Sequence, residues 1–272
     1  MVDVQVTGGT VRGVTEAGVS RFLGLPYAAP PFDEHRMRPP APVVEWSGTR
    51  DATEYGPTAP KGDYPPQFQP LFEERVIRGD ECLNLNVWTP AEALGSGSLP
   101  VLVWIHGGSF TNGSGSVRAY DGTSFARDGV VCVTINYRLG AEGFLYTDGD
   151  GLAGTANLGL QDQVAALRWV RDNIGAFGGD PARVTVAGQS AGAMSVTTLM
   201  AMPSADGLFA QAIAASGAAA NTLSPDTGLL VAQRLADELG CATDREAMAA
   251  VDLEDLVQAT SALATEVQSA PD

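Results

Sequence analysis

Apolar residues in the first four fifths of the chain come in short runs, separated by clusters of glycine and proline. From Val4 to Ala28, VQVTGGTVRGVTEAGVSRFLGLPYA alternates apolar and polar positions between glycines, which predicts a small antiparallel sheet. From Pro26 to Pro70 prolines are dense and helical periodicity is absent. That pattern predicts a long surface loop, of the kind that often borders a site. The runs then lengthen. LNLNVWTP, LPVLVWIHGG, GVVCVTINYR, RVTVAG and FAQAIAASG read as five strands, the second nearly all apolar as in a strand covered on both faces. Between the third and fourth, Leu160, Val164, Leu167, Val170 and Ile174 recur at spacings of four and three and mark one helix face. Asn157 stands where a cap belongs, and glycines with Pro181 close the segment. Strands alternating with helices predict an α/β fold with a mostly parallel central sheet. After Gly228 the pattern turns helical, in LLVAQRLADELG and LEDLVQATSALATEV, and no further strand or internal repeat is visible.

One of these predicted strands ends in candidate chemistry. VTVAGQSAG places Ser190 in a Gly-x-Ser-x-Gly frame, with AGAMSVTTLMA behind it able to form a helix. A random chain of this composition contains the frame about one time in five, so the motif alone decides little. Strand, tight turn and helix in that order are the setting of a nucleophile elbow. Gly188 and Gly192 suit the turn, and the helix N-terminus favours negative charge at Ser190. The competing role for such a serine is a helix cap. WIHGGSF supplies the second motif: Gly107 and Gly108 end a buried-looking strand, and their N–H groups with that of Ala191 make three candidate oxyanion donors.

Composition narrows the partners. With 44% hydrophobic and 18% charged residues the chain reads as globular. A net charge of -16 opposes binding to nucleic acid or an anionic membrane surface, which rests on clustered Lys and Arg. No apolar run is long enough to span a bilayer, and the first residues lack the basic flank and apolar core of a signal peptide. Cys82, Cys132 and Cys241 are widely spaced, without metal-ligand spacing, and read as thiols in a reducing compartment. A cytoplasmic location is therefore expected.

Six stretches together resemble the type-B carboxylesterases, the para-nitrobenzyl esterase-like and cholinesterase-related family: FLGLPYAAPP, DECLNLNVWTP, PVLVWIHGGSF, VTINYRLGAEGFL, NLGLQDQVAALRWVRDNIGAFGGDPARVTVAGQSAG and AIAASGA. The resemblance implies an α/β-hydrolase fold, a serine esterase that needs no cofactor or metal, and a small-molecule ester as substrate. It makes Ser190 the nucleophile and Gly107, Gly108 and Ala191 the oxyanion hole. Ser216 lies near the catalytic groups in these enzymes, and His106 precedes the hole without being the base. Arg36 with Glu81 and Arg138 with Asp180 carry over as scaffold ion pairs. Three departures stand out. Gln189 replaces the glutamate usual before the nucleophile, Asp80 and Glu81 reverse the usual acidic order, and Ala59 stands where secreted relatives carry the disulfide partner of Cys82.

The catalytic order of this fold is Ser, then an acid, then His. Beyond Ser190 there is no histidine, and only His35 and His106 precede it. Asp226, Glu238, Glu254 and Asp255 are the acids available soon after the nucleophile, all on predicted helices. Residues 1–272 therefore read as the N-terminal portion of a single hydrolase domain, inactive alone, with the remainder as its one expected protein partner. The different-class alternative is a non-catalytic α/β-hydrolase-like interaction domain, which the intact Ser190 and glycine pair argue against.

Overall fold

The computed structural model describes residues 1–64, 69, 73–147, 154–219 and 221–269. Strands β1 (Val2–Val6), β2 (Gly9–Glu16) and β3 (Val19–Pro26) form an antiparallel ribbon, and β4 (Thr49–Asp51) pairs with β2. The ribbon runs on through β3 into the central sheet, made of β5 (Asn84–Pro90), β6 (Leu99–Ile105), β7 (Val131–Ile135), β8 (Gly179–Gln189) and β9 (Gln211–Ala215). The order is β1-β2-β3-β5-β7-β6-β8-β9; β7, β6, β8 and β9 are parallel, and β5 is antiparallel to β7. All five predicted strands are present. The sheet is mixed, because β5 belongs to the antiparallel half.

Side-chain alternation gives the sheet two buried faces. Val131, Val133 and Ile135 of β7 join Val164, Leu167 and Val170 of helix α3 (Leu158–Asn173) in the main core. Cys132 and Trp88 face the other way, against Ala126 of α1 (Thr123–Arg127). The polar positions of LNLNVW are buried too. Asn86 donates to Thr134 Oγ1 at 2.9 Å and accepts from the Gly24 N–H, while Asn84 donates to the Pro57 carbonyl at 2.7 Å. Alternation in β5 thus marks buried amides that pin loops onto the sheet, with each donor satisfied.

Past the sheet, α5 (Pro225–Leu239), α6 (Arg245–Ala250) and α7 (Leu253–Ser269) build a second core around Leu235, Met248 and Leu256. Ser224 caps α5 by accepting from Thr227 N–H, Pro225 opens it, and Gly240 closes it in the left-handed region. Met37, from the proline-rich stretch, and Ala141, from α2 (Gly140–Phe144), join this core to the rest.

Several expectations are corrected. The stretch from Pro26 to Pro70 is no plain surface loop: Tyr27, Met37, Ala52 and Ala59 are buried, though residues 65–68 and 70 lie outside the described set. Asn157 stands at the start of α3 in a left-handed conformation, and its carbonyl, not its side chain, takes the first bonds. Gly178 ends the segment, while Pro181 is already in β8. Arg36 pairs with Glu142, not Glu81, which instead holds Arg50. Arg138 forms a two-pronged bond to Asp162 with both groups buried, and Asp180 caps the Ala182 N–H. Each partner chosen is the carboxylate that packing presents, a choice invisible to chain order.

Candidate active site

The chain adds β7 to one side of β6 and β8 to the other, so the strand order reverses at β6. Ligands of open α/β sheets bind at such a reversal, beyond the carboxyl ends of the strands. Ile105 and Gly188 are register partners, so the turn after β6 and the turn after β8 leave the sheet side by side.

Glycines allow the two turns to touch. A Cβ on Gly107 would lie 2.6 Å from the Gln189 carbonyl oxygen and 3.1 Å from Ser190 Cβ. A Cβ on Gly192 would strike the Ile105 carbonyl oxygen, and one on Gly188 the Gly192 backbone. Ser190 itself sits at φ 56°, ψ −122°, between β8 and helix α4 (Ala191–Leu199). A non-glycine residue in that region is strained and is held there by its surroundings. Its N–H donates to Ala215 of β9 at 2.9 Å, its carbonyl accepts from Met194 at 3.0 Å, and its hydroxyl makes no capping bond. The helix-cap role is therefore not the one this serine fills.

Opposite it, the N–H groups of Gly107, Gly108, Ser109 and Ala191 have no acceptor among the described residues. Gly108 has φ 118°, and Ser109 and Phe110 follow it with φ 56° and 60°. Ser109 is the residue that sequence reasoning missed. The glycine pair drew attention to its own N–H groups, whereas only the structure shows that the N–H of the exposed Ser109, next along the turn, is also without an acceptor. A half-buried hydroxyl beside unpaired N–H groups at a helix N-terminus is suited to attack a carbonyl carbon and hold the resulting oxyanion.

His106 is buried and stacked on Tyr137 with ring centroids 4.5 Å apart. Its Nδ1 lies 2.8 Å from the Gly107 carbonyl oxygen, which can only accept, so Nδ1 carries the proton. Burial pushes its pKa down to about 3, so the ring is neutral. Neither His106 nor the half-buried His35 is hydrogen-bonded to Ser190. Gln189 is exposed and lies over Gly107; Ser216, at φ 55°, follows the β9 residue that holds Ser190 but makes no side-chain bond to it. Asp226, Glu238, Glu254 and Asp255 are all exposed on helices, away from any bond to Ser190 or a histidine. Burial pushes the Cys82 and Cys132 thiols up, the latter to about 12, and keeps both protonated. Beside the turn, Ser109, Phe110, Phe144, Leu145, Leu230 and Leu263 border a largely apolar groove of about 660 Å³.

The carboxylesterase family model matches residues 1–270. The chain belongs to the carboxylesterase family. It is 44% identical over 258 residues to the para-nitrobenzyl esterase of Bacillus subtilis (strain 168), covering 94% of this chain and 52% of that protein. It is likewise 44% identical over 265 residues to the phenmedipham hydrolase of Pseudarthrobacter oxydans, covering 93% and 50%. Among solved structures, a thermophilic para-nitrobenzyl esterase superposes with a TM-score of 0.88 at 42% identity over 98% of this chain and 55% of that one. The α/β-hydrolase fold of these carboxylesterases is thus the fold of this chain, which spans about half the length of the curated relatives it matches.

Proposed function

We propose that the whole protein hydrolyses small to medium carboxylic esters through an acyl-enzyme on Ser190. Ser190 Oγ attacks the ester carbonyl carbon and gives its proton to a base. The N–H groups of Gly107, Gly108 and Ala191, with Ser109 extending the row, take the charge of the tetrahedral oxygen. The alcohol leaves with the proton, and water then cleaves the acyl-enzyme and restores the serine. The observation that carries this reading is the strained backbone of Ser190 directly against unpaired N–H groups at the carboxyl ends of β6 and β8.

The names of the relatives support the ester as substrate class, and the apolar groove beside Phe110 supports an apolar group on it. His106 is spoken for by its ring stacking and carbonyl bond and His35 makes no bond to Ser190, so on this reading neither is the base, and the base and its acid are assigned to chain outside these residues. Residues 1–272 then form one part of a single catalytic domain and are inactive by themselves. The cytoplasmic location proposed for the protein rests on the cysteine pattern of the sequence.

The test is turnover of a p-nitrophenyl ester by the intact natural protein and its Ser190→Ala variant. The variant should lose about four orders of magnitude or more in kcat. Equal rates would remove Ser190 from the chemistry, and an intact protein with no esterase activity would return the fold to an interaction role.

A further inference from the structure

Lys61 has a side chain with no solvent exposure, an unusual place for an ammonium. Its Nζ lies 2.7 Å from Glu74 Oε1 and donates to the Gly113 carbonyl at 2.7 Å. Glu74 also accepts, through Oε2, from the Gly113 N–H at 3.2 Å and more distantly from Asn112 Nδ2. Both backbone groups of Gly113 are thus held by one ion pair, its cation buried and its carboxylate half-buried. Asn112 is tied in as well: its side chain donates to the Gly62 carbonyl at 2.7 Å, and its N–H closes the turn onto the Gly108 carbonyl at 2.8 Å.

Gly113 packs directly on the turn that ends β6. A Cβ there would strike the Gly107 carbonyl oxygen and lie 2.6 Å from His106 Nδ1. Displacing Gly113 therefore displaces Gly107, whose other side rests against Ser190. A buried ion pair is a weak means of stabilising a fold, since desolvation offsets much of the attraction. Fixing a backbone conformation is what such a pair does well.

We propose that Lys61, held by Glu74, is a positioning residue for the oxyanion turn, fixing the Gly113 carbonyl and through it the N–H groups of Gly107 to Ser109. The inference rests on the esterase reading above. The cation lies off the reacting atoms and acts through the backbone. Burial also lowers the Lys61 pKa while the charge and hydrogen bond of Glu74 oppose that shift.

The decisive variant is the double Lys61→Met, Glu74→Gln in the intact protein. It leaves no unpaired buried charge, and the amide that replaces the Glu74 carboxylate still offers an oxygen to Gly113 N–H and Asn112. Lys61→Met alone should lower both melting temperature and kcat. The double variant should recover most of the melting temperature, yet stay about tenfold to a hundredfold below wild type in kcat with KM little changed, because a displaced hole weakens only the transition state. Binding of a boronic acid that forms a tetrahedral adduct should weaken by a similar factor. Recovery of kcat together with melting temperature would overturn the proposal and leave the pair a merely structural one. Failure of the esterase reading is separable: the wild type would then turn over no ester, or Ser190→Ala would turn it over at the wild-type rate, whatever the Lys61 variants do.

Discussion

Both turns at Ser190 have backbone pressed on backbone, at Gly107, Gly108 and Gly113 after β6 and at Gly188, Gly192 and Gly217 after β8, but only the first is also braced by a network of side-chain bonds. The first turn depends on the Lys61–Glu74 pair, the Asn112 amide and the His106 ring bonded to Gly107. The elbow depends on Gly188, Gly192 and Gly217, each so close to a neighbouring main chain that a single methyl group has no room. Behind the elbow, β9 supplies the bond to Ser190 N–H although all five of its residues are exposed. Polar bracing can be weakened by degrees, because a lost bond lets atoms drift. Steric bracing fails at once, because interiors are packed too densely to absorb a new atom.

That difference ranks the outcomes. Gly192→Ala should have the largest effect on the scaffold, since its Cβ collides with the last carbonyl of β6 and must push the start of α4 away from that strand. It should cost about 1–3 kcal/mol or more and abolish esterase activity, as thermal melts and turnover will report. A Gly192→Ala protein as active as wild type would mean that the elbow yields more easily than its contacts suggest. The Lys61 and Glu74 variants come next, with a graded loss of kcat and a recoverable melting temperature.

The outcome with the smallest effect near neutral pH concerns the protonation of His106. Its folded pKa of about 3 lies below the ordinary value of 6.5, because burial disfavours the charged ring. Between those values the unfolded chain binds a proton that the folded chain does not. Stability therefore falls as pH is lowered through that window, by up to about 1.4 kcal/mol per pH unit from this group. His106→Phe keeps an aromatic ring for stacking and should reduce the slope of unfolding free energy against pH by one proton. An unchanged slope would show that the ring titrates in the folded state. With the folded pKa at about 3, the activity profile near neutrality should not report His106, which is uncharged there.

Much of the architecture was legible in the chain because it depends on local pattern. The five strand runs, the helix face through Leu160, Val164 and Leu167, and the serine frame all follow from short-range periodicity and glycine placement. The same holds for Gly107, Gly108 and Ser190: the residue types that allow close approach of backbones must be written where the approach occurs. Family membership followed from those blocks taken together.

What the chain alone did not reveal depends on which distant segments meet. Arg36 finds Glu142, 106 positions away, and Arg138 finds Asp162, because charged groups with several possible partners take the one that packing delivers. Nothing local marks Lys61 as buried or Glu74 as its partner: Lys61 stands in the proline-rich stretch that reads as surface, and Glu74 lies just beyond it. Only the fold carries that stretch over Gly113. The left-handed path of Ser109 is likewise set by contacts on either side of it. Local pattern determined the strands, the turns and the candidate nucleophile, since these are matters of a few neighbouring residues. Tertiary structure alone decided which charges are buried, which N–H groups remain open, and how firmly the two turns at Ser190 are held.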